Sequence, residues 1–220
     1  MSLGAIFPTV FGIAFLFLQP YFTEVETSEI PLWLKVTYTL FVAVLVPVYW
    51  KKWGVANFLW FSDVALFVML AAVWLESSLL ASMMGVAVLI PEIVWNVSYF
   101  VRLLTGIRIL SLTDYMFDSS KSLFLRALSL FHVILPPLII WMIWKTGFHE
   151  NAFWYQVLFG WTVLLITYLF TDPAENINMV FGSGAKPQTK LNPKLYLLFV
   201  LLGFTLGIYL PAYLILRLIF

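Results

Sequence analysis

Asp63, Glu92 and His132 each interrupt a long apolar run, and Ser62 directly precedes the first of them. An ionisable group held in hydrocarbon is costly and by default marks a functional site. A hydroxyl, an imidazole and a carboxylate together suit nucleophilic attack on an ester. Ser62 would supply the oxygen and His132 would take its proton. Asp63 or Glu92 would fix the imidazole tautomer and stabilise the imidazolium, as in triads on unrelated folds. No GxSxG elbow is present, so geometry alone carries this expectation. One histidine with two carboxylates also matches a metal-binding facial triad in type, but the usual form needs two histidines, so neither metal nor cofactor is expected. A third chemistry is a proton relay through Asp63, Glu92 and His132.

These residues can meet only if their elements bring them to one height. The chain is 63% hydrophobic and 10% charged with a mean hydropathy of +0.98, against roughly 25% charged in soluble domains. It is therefore read as an all-α polytopic membrane bundle, one domain over residues 1–220. A spanning helix needs ~20 mostly apolar residues. Seven such stretches are read, at 3–19, 31–50, 55–75, 79–104, 122–144, 153–171 and 196–219. The first lacks a basic leader and a small-residue cleavage site, so it is read as a retained helix.

Counting inward from Trp53, Lys121 and Arg102 at the rise of a helix puts Asp63, His132 and Glu92 each ~15 Å deep, near the midplane of a ~30 Å core. Asn96 and Tyr99 continue the Glu92 face by one and two turns. Ser129 precedes His132 by three residues, and Thr162 on the sixth stretch is expected at the same level. Pro91 and the Pro136-Pro137 pair remove backbone donors beside this layer, which is tolerated where neighbouring helices satisfy the freed carbonyls.

Charge sets the expected orientation. Lys51, Lys52, Arg102, Arg108, Lys121, Arg126, Lys186, Lys190 and Lys194 fall on one face, leaving Lys35, Lys145 and Arg217 for the other. The positive-inside rule then makes the N-terminus cytoplasmic and the C-terminus external, in a bacterial inner membrane. The net charge of +1 offers no basic excess for nucleic acid. The absence of cysteine excludes disulfides, thiolate metal sites and a cysteine nucleophile. On the basic face, Arg102, Asp114, Asn176 and Asn178, with Tyr99 above them, are candidates for binding a lipid headgroup; Arg108, Lys121 and Arg126 also suit phosphate. Ordinary turn and capping chemistry is the competing account of these loops.

The segments Asn57 to Asp63, Leu112 to Asp118, Ser129 to Val133 and Asn176 to Asn178 resemble those of a group of bacterial integral membrane proteins of unassigned function. More distantly, a small nucleophilic residue before a carboxylate, then Val-Ala-Leu-Phe, then a histidine two spans later is similar to YwaF-type membrane proteins and the androgen-induced fatty-acid-ester hydrolases. The resemblance implies a buried nucleophile and histidine that cleave or transfer lipid acyl groups, with Ser62 and His132 in those positions. Serine stands where that superfamily has threonine or cysteine, and seven spans exceed the six familiar from the hydrolases. The leading expectation is an intramembrane lipid acyl hydrolase or acyltransferase with membrane lipids as partners. A non-catalytic scaffold or accessory subunit bound to other membrane proteins is the second reading, supported by Gly203 and Gly207 at GxxxG spacing. A proton-coupled small-molecule transporter is the third.

Overall fold

The computed structural model describes residues 29–184 and 186–220, and the stretch at 3–19 lies outside them. Every regular element among the described residues is helical. The helices are α1 (Leu32–Trp53), α2 (Phe61–Leu75), α3 (Ser78–Thr105), α4 (Leu123–Leu128), α5 (Phe131–Thr146), α6 (Ala152–Phe170), α7 (Pro193–Phe204) and α8 (Leu210–Ile219). Short 3-10 turns occupy Val55–Leu59, Ser111–Phe117 and Ile177–Met179, and a π-helical segment, Thr205–Tyr209, joins α7 to α8.

The sequence punctuates these elements in recognisable ways. Ser77, Ser122 and Asn192 each accept a backbone N–H with their side chains at the starts of α3, α4 and α7. Pro193 occupies the first turn of α7, where its missing N–H removes no helical bond. Gly54 and Gly106, both at positive φ, end α1 and α3.

α3 is the central pillar: residues 79–89 are buried on all sides, and α2, α5, α6 and α8 pack around it. Gly85 is what lets α5 and α8 approach. A Cβ there would lie 2.9 Å from Ile143 Cδ1 and 3.0 Å from Leu216 Cδ1. At one end of the bundle, Lys35 at the start of α1 pairs at 2.7 Å with Glu76 at the end of α2. There too the His149 amide donates to Ser82 Oγ at 2.9 Å, and Tyr213 donates to the Glu150 carbonyl. The other end gathers the three 3-10 turns and the basic residues of the 105–122 and 171–192 connections.

Among the described residues, five stretches are long and apolar enough to cross a membrane: Leu32–Trp53, Ser78–Thr105, Leu123–Thr146, Ala152–Phe170 and Pro193–Ile219. The expected span at 55–75 is divided. Gly54 ends α1, Val55–Leu59 winds as a 3-10 turn, and Trp60 is extended (φ −58°, ψ 136°) before the fifteen residues of α2 begin. The expected span at 122–144 is likewise divided at Ser129-Leu130, between α4 and α5. Thr162 does not join the polar layer. Its side chain is on the exposed face of α6, bonded at 2.8 Å to the Leu158 carbonyl one turn back. Gly203 and Gly207 likewise face open space and not another helix.

Candidate functional site

Glu92 lies at the middle of α3, where Pro91 and Trp95 are its neighbours, and His132 is the second residue of α5. The two form a close pair. Both carboxylate oxygens approach His132 Nδ1, Oε2 at 2.9 Å and Oε1 at 3.1 Å. Side-chain exposure is 3% for Glu92 and 12% for His132. A carboxylate accepts, so Nδ1 donates, and this selects the tautomer that leaves a lone pair on Nε2. No group among the described residues bonds to Nε2. The ring itself is held flat between aromatic neighbours: Trp95 stacks at 4.5 Å and 20°, Phe131 at 4.1 Å and 26°. Tyr99 extends the stack one turn further, 5.2 Å from Trp95.

Pro136 explains the next contact. It has no N–H to give to the residue four positions back, so the carbonyl of His132 is left without its helical partner. Asn96 supplies the missing donor: its Nδ2 lies 2.7 Å from the His132 carbonyl and 2.8 Å from the Glu92 carbonyl. One amide therefore pins α5 to α3 beside the pair.

Asp63 enters from α2. It is 4% exposed and stands in the first turn of its helix, where a negative charge is favoured by the helix dipole. Asn57 Nδ2 approaches its Oδ2 at 3.4 Å, while Oδ1 is buried with no hydrogen-bond partner among the described residues. Asp63 and Glu92 are within electrostatic reach of each other. Ser62 is half-buried, and its hydroxyl does not bond to His132. The inward face of α2 takes Phe61, Asp63, Val64 and Ala65, while Ser62 is only partly covered.

Beneath this layer a hydroxyl cluster closes the site. Ser129 Oγ meets Tyr49 Oη at 2.7 Å and also reaches the Leu125 carbonyl. Tyr115, from the turn Ser111–Phe117, interacts with Ser129 and with the Trp95 indole. Burial raises the pKa of its phenol, keeping it a neutral donor. Tyr49 and Tyr115 were not legible as site residues, because each looks like one more interfacial aromatic. The Leu-Thr-Asp-Tyr-Met-Phe-Asp run was the only signal that the second of them faces inward.

The other candidates are arranged by backbone and charge. Arg102 and Arg108 both pair with Asp114, and the Arg102 guanidinium lies 4.4 Å over the Phe117 ring. Asn178 accepts from the Phe61 amide at 3.1 Å and donates to the Leu59 carbonyl at 2.7 Å. It thus satisfies the two backbone groups exposed by the break at Trp60. Asn176, at φ 44°, donates to the carbonyls of Gly182 and Gly184 and accepts from the Phe181 amide. Among the described residues no group of three or more histidine, aspartate or glutamate side chains is placed to hold a metal ion.

The arrangement can do one kind of chemistry directly. An imidazole buttressed by a carboxylate, with its far nitrogen unbonded, can accept a proton from a hydroxyl and return it. Comparison of the chain with known protein families, with curated proteins and with solved structures returned no match.

Proposed function

We propose that this chain is an integral membrane enzyme that cleaves or transfers an acyl group of a lipid ester, with the Glu92–His132 pair as its general base. The observation that carries the reading is the carboxylate on Nδ1 of a ring whose Nε2 is unbonded. In the step we propose, Nε2 removes the proton of an attacking hydroxyl as its oxygen bonds to the acyl carbon. The ester C–O bond then breaks, and the imidazolium returns the proton to the departing alcohol. Glu92 stabilises the charged ring between these events. The attacking hydroxyl is that of Ser62, after a rotation of the start of α2, or that of water or an acceptor alcohol. In this reading the basic end of the bundle is cytoplasmic, in a bacterial inner membrane.

Purified protein in detergent with a fluorescent phospholipid ester tests it. His132→Ala is expected to abolish turnover, and Glu92→Gln to lower it by about 10²–10⁴-fold, the usual range for general acid–base assistance. Ser62→Ala separates the two nucleophiles: lost turnover assigns the serine, retained turnover assigns water or an acceptor alcohol. Turnover unchanged in folded His132→Ala would overturn the reading. One observation favours a non-catalytic membrane component instead, the lack of a hydrogen bond between the Ser62 hydroxyl and the His132 imidazole. That alternative predicts no turnover in any variant or in the wild type.

A further inference from the structure

We propose that Arg126 receives the phosphodiester of a glycerophospholipid, which names the substrate class of the lipid-ester reading and rests on that reading. Three arginines stand on the basic end near the site. Arg102 and Arg108 share the single carboxylate of Asp114. Among the described residues Arg126 pairs with no carboxylate. Its Nη1 donates at 3.1 Å to the Met116 carbonyl, and its Nε is shut away with no acceptor among them. The exposed Asp118 forms no ion pair with Arg126; its carboxylate is held chiefly by its bonds to Ser120, with Lys121 and then Arg126 adding smaller attractions.

A guanidinium has five N–H donors in a rigid fork suited to phosphate oxygens. Here one terminal nitrogen is occupied by protein and Nε is enclosed, which leaves Nη2 as the open edge. The side chain is half-buried, so a partner would be met in a medium where charge pairing is stronger than in water.

Position selects the lipid. Arg126, Ser129 and His132 follow one another at intervals of three; the amides of Arg126 and Ser129 bond four residues back and that of His132 three back, and both kinds of turn keep residues i and i+3 on one side. The rise over six residues is about 10 Å. The headgroup layer of a leaflet is ~5–7 Å deep. A phosphate held by the Arg126 side chain at the basic end therefore leaves the glycerol esters of the same molecule on the His132 side. Lys121, at the mouth of the same connection, adds positive charge facing the headgroup layer.

The test uses native mass spectrometry of the full chain in detergent, with dioleoylphosphatidylglycerol and dioleoylglycerol as probes. Wild type is expected to retain the phospholipid at least about 10-fold better than the headgroup-free diglyceride, and equal retention overturns the proposal without any variant. Arg126→Gln is expected to abolish that preference, Arg126→Lys to keep part of it, and preference unchanged in folded Arg126→Gln overturns it. Millimolar inorganic phosphate should fail to displace the phospholipid, and displacement would assign the site to a soluble phosphate instead. His132→Ala should bind as wild type does, so loss of turnover without loss of the preference leaves this inference standing apart from the catalytic one.

Discussion

Asparagines do different work from what their loop positions suggest. Asn178 stands in a polar connection on the basic face, which made a headgroup contact a natural expectation. Both polar atoms of its amide are instead spent on the backbone at Leu59 and Phe61. A broken helix inside a membrane bundle is tolerated only where protein satisfies the freed groups, and Asn178 meets that condition 117 residues away in sequence from one of its partners. Asn178→Ala should remove two hydrogen bonds and strand a buried N–H and C=O, costing about 2–4 kcal/mol. Thermal unfolding of the detergent-solubilised protein checks this, and an unchanged midpoint would refute the clamp. The same logic was partly legible for Asn96. Its position one turn from Glu92 was readable as a polar stripe, and Pro136 announced a carbonyl in need of a donor. That the two needs meet in one amide depends on the angle between α3 and α5, which no local pattern encodes.

At the scale of elements, apolar runs marked most of the spans to within a few residues, because length and hydropathy are dictated by the thickness of the bilayer. The internal breaks were not legible. Val55–Leu59 and the junction at Ser129-Leu130 are as apolar as the helices around them, so composition cannot separate a tight turn from a continuing rod. The α5–α6 connection carries a further prediction. His149 is half-buried in it, and its Nδ1 accepts from the Asn151 amide at 3.2 Å, shaping the turn that opens α6. Burial lowers its pKa below the ordinary 6.5, against the opposing pull of Glu150. A base with a depressed folded pKa contributes stability that is full above its unfolded pKa and is lost as pH falls through the folded value. Protonation would also convert Nδ1 from acceptor to donor. Acidification from neutral to below pH ~6.5 should therefore accelerate hydrogen exchange at the Asn151 amide, and His149→Gln should remove the pH dependence. Exchange that is independent of pH, once corrected for intrinsic rates, would dismiss the role.

At the scale of the whole molecule, the contacts sort the described residues onto two ends. Lys35, Glu76, Ser82, His149, Glu150 and Tyr213 meet at one, while Leu59, Phe61 and Asn178 meet at the other, as do Arg102, Asp114, Met116 and Arg126. α2 joins the two ends although it is only fifteen residues long, about 22 Å at the helical rise. The 3-10 turn before it makes up the remainder, which is why the break falls beside the polar layer and presents Asp63 there. Nine of the twelve lysines and arginines fall at the end that holds Asn178, so that end should face the cytoplasm. The chain has no cysteine, and each introduced thiol is therefore unique. Lys190→Cys should resist a membrane-impermeant maleimide in intact cells and react once the membrane is inverted, while Glu150→Cys should do the reverse. Labelling of both from one side would mean that the two ends do not lie across a bilayer. The phosphate site at Arg126 and the base at His132 would then have no common leaflet from which a lipid could reach them.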